Sequence, residues 1–262
     1  MPGRTSLHGG GALAMLVLLG GCAGITPDGG FDDVASRAQA RGGLAPRIVL
    51  NEADARAVAD TTRSLLAQPL DSEAAVRVAL LNNPGLQASY WNVGIAQADL
   101  AQAARLHNPA FGFKRLAGGG GLEIERSLSF SLVQVLTMPL ARRLESTRVE
   151  QVKLAVGAAI ERHAVATRHA WIDAVAANQA LDYARRVNAA GEASAELMGR
   201  MARSGNTSQL DLARERAFHA DAGAALMRAG QQQVAARERL TRLLGLWGAD
   251  TAFTLPARLP DL

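Results

Sequence analysis

Hydrophobic residues recur at helical spacing over most of this chain, and no proline occurs between Pro139 and Pro256. Two heptad seams of mainly apolar residues fall at Tyr183–Met201 and Leu210–Val234, with the polar segment Arg203–Ser208 between them. Such seams are typical of helices that pack side by side. The pattern predicts an antiparallel pair of long helices, the first of which covers residues 140–202 and measures about 95 Å at the usual rise per residue.

A period of two replaces the helical period in the segment 122–132. Apolar and polar residues alternate there, and only Arg126 interrupts the apolar positions. Those positions are Leu122, Ile124, Leu128, Phe130 and Leu132. Phe111 and Phe113 begin a shorter partner strand, and the glycines at 118–121 supply the turn between the two. The sequence therefore predicts a two-stranded β-hairpin within residues 108–138.

Two environments fit this hairpin. The alternation is as long as a tilted transmembrane strand, whose backbone must pair within a closed barrel because lipid offers no hydrogen-bond partners. A soluble hairpin with one buried face would show the same alternation. The segment alone leaves both interpretations open.

Shorter helices are predicted upstream, over residues 51–107. Asn51 is suited to cap the first helix and Asp71 or Ser72 the second, since short polar side chains accept hydrogen bonds from the first helical N–H groups. Pro84 fits the first turn of a third helix. Residues 22–50 show no period and contain several Gly and Asp residues, so an extended or disordered tether is expected there.

Composition and charge exclude several functional classes. Aromatic residues make up only 4% of the chain, and its formal charge is +4. The arginines are interspersed with glutamates along the predicted helices, which indicates solvated helix faces rather than a nucleic-acid interface. His163 and His169 are six positions apart and fall on different helix faces. No catalytic arrangement can be argued from the sequence, so we expect no enzyme, no metal site and no cofactor.

The position of the single cysteine, Cys22, indicates its role. Arg4 precedes a short apolar run, Ala12–Leu19, and two glycines separate that run from the thiol. This run is too short to cross a bilayer as a helix. The arrangement resembles a bacterial lipobox, which implies that residues 1–21 are a signal peptide and that lipid is attached to the Cys22 sulfur.

The order of predicted elements and four short motifs resemble one repeat of the TolC-type outer-membrane efflux family. The match covers roughly residues 70–250, and the motifs are Ala79–Leu86, Ala103–Pro109, Gly205–Asp211 and Arg242–Gly248. The resemblance implies a mainly α fold. A long antiparallel α-helical hairpin at residues 139–248 would form a coiled-coil tunnel segment, and the two-stranded β-hairpin would contribute to a transmembrane β-barrel.

The resemblance also implies a function. The chain would be the outer-membrane channel component of a tripartite efflux system, a passive export duct for drugs or heavy-metal ions that is lipid-anchored and extends into the periplasm. Its partners would be a periplasmic adaptor (membrane fusion) protein, an inner-membrane pump, outer-membrane lipid and further copies of itself, three in the full-length family. Carried over by motif, Gly205, Asn206, Leu210 and Asp211 fall at the helical tip that meets the adaptor.

One departure from the family pattern leaves alternatives open. Family members carry two such repeats per chain, whereas this sequence shows one, and residues 249–262 resemble an inter-repeat linker that is cut short. A fragment of an efflux channel is the first expectation, and six half-chains that close one barrel are the second. Outside the channel class, a lipid-anchored periplasmic coiled coil with a structural or adaptor role would explain Cys22 and the helices, but not the polar alternate face of the strand.

Overall fold

The computed structural model of this protein describes residues 26–106, 108–118 and 121–260. Long helices dominate the described chain, and a single β-hairpin separates the shorter helices from the longer ones. The elements are α1 (Phe31–Gly42), α2 (Glu52–Leu66), α3 (Ser72–Asn82), α4 (Pro84–Ala103), β1 (Ala110–Gly118), β2 (Gly121–Ser129), α5 (Leu132–Arg203), α6 (Gln209–Leu244) and a 3₁₀ turn (Gly248–Ala252). The predicted mainly α fold with one two-stranded hairpin is confirmed.

The chain divides into two compact units. One unit holds the described residues up to Phe31 together with Asn92–Lys153, and it contains the β-hairpin. The other holds Asp32–Trp91 and Leu154–Leu262, and it contains the helical tip.

Local capping sets the starts of the shorter helices, as the sequence predicts. The Asn51 side chain accepts a hydrogen bond from the Asp54 N–H at 3.0 Å, and the Asp71 side chain accepts one from the Ala74 N–H at 2.7 Å. Each bond satisfies a donor that the first helical turn leaves without an intrahelical partner. Pro84 begins α4, where its missing N–H removes no helical hydrogen bond.

The core of the second unit joins α3 to α5 and α6. Its buried side chains are Leu70, Ala75, Val78, Ala79, Ala170, Trp171, Ala174, Val175, Leu240, Leu244, Leu246 and Phe253. The Trp171 indole N–H donates to the Leu70 carbonyl at 2.7 Å, so the one polar atom of this buried ring is satisfied. The segment after α6 is part of this core, because Phe253 is buried and stacks beneath the Arg237 guanidinium.

Part of the expected tether is helical. The sequence of residues 22–50 shows no clear period and predicts no helix, but residues 31–42 form α1. Phe31, Val34 and Ala38 are buried at helical spacing, so a short apolar stripe drives the helix to pack. Residues 22–25, which include Cys22, lie outside the described residues.

Two residues that the sequence predicts in the second strand lie outside it. β2 ends at Ser129, so Phe130 lies beyond the strand and Leu132 is the first residue of α5. The cause is a cap, because the Ser131 hydroxyl accepts a hydrogen bond from the Gln134 N–H at 3.3 Å and thereby starts the helix. Helix α5 consequently begins before Pro139 and contains it, whereas the sequence placed the start of this helix after that proline.

The long hairpin is confirmed, but its predicted seams are not its packed face. Asn178 of α5 accepts a hydrogen bond from Gln233 of α6 at 3.0 Å, and Asp173 is paired with Arg239 at 3.8 Å, so the two helices are antiparallel neighbours. Several seam side chains nevertheless remain exposed, namely Tyr183, Leu197, Leu210, Met227 and Val234. In α6 the small residues Ala222 and Ala229 are buried instead.

Candidate functional site

The β-hairpin has two chemically different faces. Strands β1 and β2 are antiparallel, with Phe111 opposite Leu128 and Phe113 opposite Arg126. Directly opposite residues share a face of a sheet, and successive residues alternate between faces. One face, which we call the apolar face, therefore carries Phe111, Phe113, Ile124 and Leu128 together with Arg115 and Arg126.

The apolar face is exposed. Its large side chains retain much of their accessible surface: Phe111 69%, Phe113 58%, Ile124 46% and Leu128 67%. Leu122, the first of the three predicted strand positions within β2, is opposite Ala117 in the register. Contiguous exposed apolar surface marks a site of contact with a partner or a membrane.

The opposite face is polar. Lys114 is opposite Glu125, an opposite-charge pair of the kind that stabilises a sheet, and Gly112 is opposite Ser127. The Ser129 hydroxyl donates to the Ala110 carbonyl at 3.5 Å. A face of this kind is compatible with water.

The helical tip is a second candidate site, and it contains all four residues that the sequence assigned to a tip. Gly205 has φ +78°, a left-handed conformation that glycine adopts without steric cost. The Asn206 N–H donates to the Met201 carbonyl at 2.9 Å, and the Asn206 side chain donates to the Ser204 hydroxyl at 3.1 Å. Both residues therefore hold the turn that ends α5.

The start of α6 completes the tip. The Ser208 hydroxyl accepts a hydrogen bond from the Asp211 N–H at 3.0 Å and donates to the Asp211 carboxylate at 2.6 Å. Asp211 thus belongs to the cap of α6. Leu210 makes no such bond through its apolar side chain and is 58% exposed. Among the four predicted tip residues, Leu210 is the one whose side chain remains available to a partner.

A junction cluster, formed by Asn82, Asn83, His163 and Gly245, brings together two of the motifs that carried the resemblance. The Asn82 side chain donates to the Gly245 carbonyl at 2.7 Å, and the Asn83 side chain donates to the Leu243 carbonyl at 3.1 Å. These bonds satisfy carbonyls at the end of α6, which lack intrahelical partners. The sequence alone identifies these asparagines only as motif residues, since each contact joins residues about 160 positions apart.

His163 contributes a third donor to the same helix end. Its Nε2 lies 3.0 Å from the Leu243 carbonyl, so this nitrogen carries a proton and donates. Burial lowers the pKa of His163, and the hydrogen bond to the Leu243 carbonyl opposes part of that shift. The residue therefore acts as a neutral hydrogen-bond donor in the folded chain at neutral pH.

Within the described residues, no three His, Cys, Asp or Glu side chains converge as metal ligands would. None of the described helices combines the length and the apolar character that crossing a membrane requires.

Two solved structures share this fold. A membrane protein from Pseudomonas aeruginosa superposes with a TM-score of 0.60 at 20% sequence identity, over 73% of this chain and 47% of that one. CusC, whose crystal structures concern conformational changes that accompany folding and transmembrane channel formation, superposes with a TM-score of 0.58 at 17% identity, over 72% of this chain and 46% of that one. This chain thus spans less than half the length of either structure. No protein-family model and no curated protein sequence matches it.

Proposed function

We propose that this chain is a channel component of a bacterial tripartite efflux system and forms part of a passive export duct through the outer membrane. The β-hairpin would belong to a transmembrane barrel, and the α5–α6 hairpin would belong to a periplasmic tunnel. An inner-membrane pump would supply the energy, and drugs or heavy-metal ions would be the cargo. The fold that the chain shares with CusC and with the Pseudomonas membrane protein supports this proposal.

The observation that carries the proposal is the exposed apolar face of the hairpin. Phe111, Phe113 and Leu128 are more than half exposed, which is costly in water but favourable against lipid tails. A lipid-anchored periplasmic coiled coil, the alternative, would leave this apolar face exposed to water. In an outer-membrane barrel the apolar face would contact lipid, and the face that carries Lys114 and Glu125 would line the aqueous lumen.

Association with further strands and helices follows from the same reasoning. Within the described residues the sheet has only two strands, and unpaired strand edges are not tolerated in hydrocarbon. The exposed seam residues Tyr183, Leu197 and Met227 likewise present apolar side chains to neighbouring helices. Assembly of several copies or repeats into one closed barrel, and of their helices into one tunnel, would cover both surfaces.

A matched pair of lysine substitutions tests the membrane assignment. Leu128→Lys places a charge on the apolar face, which costs about 2–4 kcal/mol near the bilayer midplane. Ser127→Lys places the same charge at the adjacent position on the polar face, where the lumen hydrates it. In outer-membrane fractions of cells that carry the full-length gene, we expect Leu128→Lys to lower the inserted amount strongly and Ser127→Lys to leave it unchanged. Equal insertion of the two variants would contradict the barrel assignment.

Export is measured in the same strains. Cells without the gene should accumulate more of an exported probe, tested with ethidium and with silver ions, and the unsubstituted gene should restore low accumulation. Ser127→Lys should restore it and Leu128→Lys should not. If deletion of the gene changes the accumulation of neither probe, while the hairpin still inserts, the efflux assignment is wrong for both cargo classes.

The tip would dock the periplasmic adaptor, and Leu210 would supply the apolar contact. Leu210→Glu removes that side chain and adds a charge, whereas Gln209→Glu adds a charge at the neighbouring exposed position and keeps Leu210. We expect Leu210→Glu to reduce the yield of in-cell crosslinks between the tip and the adaptor, and Gln209→Glu to preserve it. Equal yields for both variants would place the docking surface elsewhere.

A further inference from the structure

Two arginines occupy the apolar face of the β-hairpin. Arg115 is opposite Ile124, and Arg126 is opposite Phe113, so the arginines are diagonal neighbours across the two strands. Diagonal positions on one face bring Cβ atoms within about 7–8 Å of each other, well inside the reach of two long side chains. Both side chains are exposed. The face that carries the phenylalanines thus also carries two adjacent positive charges.

The hairpin itself provides no counter-charge on that face. In the described part of the chain, neither Arg115 nor Arg126 has an ion-pair partner at 4.0 Å or less. Glu125 belongs to the other face, opposite Lys114. The side chains that share the apolar face with the arginines are aromatic or aliphatic, namely Phe111, Phe113, Ile124 and Leu128. A second copy of this hairpin would therefore bring two more arginines to such a contact, and no carboxylate.

We propose that Arg115 and Arg126 together bind the phosphate of an anionic membrane lipid. This inference rests on the proposed function, since it requires the apolar face to meet lipid. A guanidinium presents its donors in a planar fork that matches phosphate oxygens, and two forks at diagonal positions hold one phosphate between them. The aliphatic stems of the arginines lie along acyl chains while their charged ends reach toward the headgroup layer. Phe113 and Ile124, each opposite one arginine, pack against the same lipid.

The same arrangement explains why two charges persist on a lipid-facing surface. An unpaired arginine in hydrocarbon is expensive, whereas an arginine whose charge is matched by a lipid phosphate is not. Pairing also fixes the height of the hairpin in the bilayer, because the phosphate layer is a defined plane. The arginine pair thus acts as a depth marker as well as a lipid site.

Lipid retention by the product of the full-length gene, the same protein that the insertion assay uses, tests the proposal. The protein is reconstituted into phosphatidylcholine vesicles that contain a minor fraction of phosphatidylglycerol, and only protein that resists alkaline extraction is carried forward. Lipids that remain bound after mild detergent extraction are then quantified by mass spectrometry. The variants are the Arg115→Gln/Arg126→Gln pair, the Arg115→Lys/Arg126→Lys pair and Lys114→Gln. Lys114→Gln is the matched control, because it removes one positive charge from the opposite face.

The unsubstituted chain should retain phosphatidylglycerol in excess over its share of the vesicle. The glutamine pair should lose that preference, by about fivefold for each arginine removed, and the lysine pair should keep part of it. Lys114→Gln should match the unsubstituted chain. An equal loss in Lys114→Gln, or an unchanged preference in the glutamine pair, would overturn the proposal.

Two further outcomes separate this inference from its premise. Displacement of the bound lipid by excess inorganic phosphate would show that the arginines select the anion alone, and would overturn the lipid assignment. A chain that inserts but retains no anionic lipid would refute this inference and leave the barrel standing. A chain that never resists alkaline extraction would refute the barrel and the lipid site together.

Discussion

Alanine substitutions at Gly245 and Gly248, compared with each other, separate the steric and the conformational roles of Gly245, the residue that ends α6. Gly245 has φ +68°, and a Cβ at this position would lie 2.7 Å from the Asn83 Cα and 2.8 Å from the Asn82 carbonyl oxygen. Both neighbours are backbone atoms, which cannot yield by rotation of a side chain. Gly245→Ala must therefore push the end of α3 away from the end of α6.

The expected cost has two parts. An alanine in the left-handed region costs about 1–2 kcal/mol. Displacement of α3 also weakens the hydrogen bonds that Asn82 and Asn83 donate to the Gly245 and Leu243 carbonyls, at about 1 kcal/mol each. The total is about 3–4 kcal/mol of unfolding free energy. Gly248→Ala is the matched control, since Gly248 has φ +62° but nothing within 4 Å of a Cβ, and only the conformational cost applies.

The assay is urea unfolding of the purified full-length protein in detergent, followed by the helical circular dichroism signal. Hydrogen exchange of peptides that cover residues 240–247 locates the effect. Gly245→Ala should lower the unfolding free energy by about 2 kcal/mol more than Gly248→Ala does, and it should speed exchange at the end of α6. Equal destabilisation by the two variants would refute the role assigned to the contact with Asn82 and Asn83.

Three further predictions use the same unfolding and exchange measurements. Because burial lowers the pKa of His163, the unfolded chain binds a proton at a higher pH than the folded chain does. The unfolding free energy is therefore highest above about pH 6.5 and falls below it, by at most about 1.4 kcal/mol per pH unit. His163→Gln should remove this dependence, and parallel curves of unfolding free energy against pH for both proteins would contradict it. Trp171→Phe leaves the buried Leu70 carbonyl without its donor and should cost about 1–3 kcal/mol, so a change below about 0.5 kcal/mol would be inconsistent with that bond. Ser208→Ala removes the cap of α6 and should speed exchange of the tip amides by the equivalent of about 1 kcal/mol, whereas unchanged exchange would mean that the cap is not needed.

Local chemistry explains what the sequence could predict. Asn51 and Asp71 cap their helices through bonds to residues three positions away, so a short window of sequence contains both partners. The reversal at Gly205 follows from the same kind of local signal. The alternation at residues 122–128 likewise depends on neighbours in sequence, and the structure has a strand there.

Competing local signals and distant contacts explain the errors. The alternation continues past Ser129, but the cap at Ser131 starts a helix and takes Phe130 and Leu132 out of the strand. The sequence does not predict helix α1, because its apolar stripe is short and lies among residues with no clear period. The seams predict contact within the helix pair, but periodicity identifies only an apolar stripe and not its partner.

The junction cluster was beyond sequence reasoning for a different reason. Asn83 and Gly245 meet only after α3, α5 and α6 have packed, and no local period encodes that contact. The motif residues around them were recognisable as a resemblance, but their hydrogen bonds to the end of α6 depend on the tertiary fold. Lipid attachment at Cys22 and adaptor docking at Leu210 remain predictions.

Cysteine accessibility along the β-hairpin in intact outer membranes would show directly whether the apolar face contacts lipid. Single cysteines are introduced at 111, 113, 124 and 128 on one face and at 112, 114, 125 and 127 on the other, and the unsubstituted chain reports any reaction of Cys22. Thiols on the apolar face should react with a lipid-soluble maleimide and resist a charged one, whereas thiols on the other face should react with the charged reagent from the aqueous lumen. Uniform reaction of both faces with the charged reagent would contradict the assignment of this hairpin to a membrane barrel.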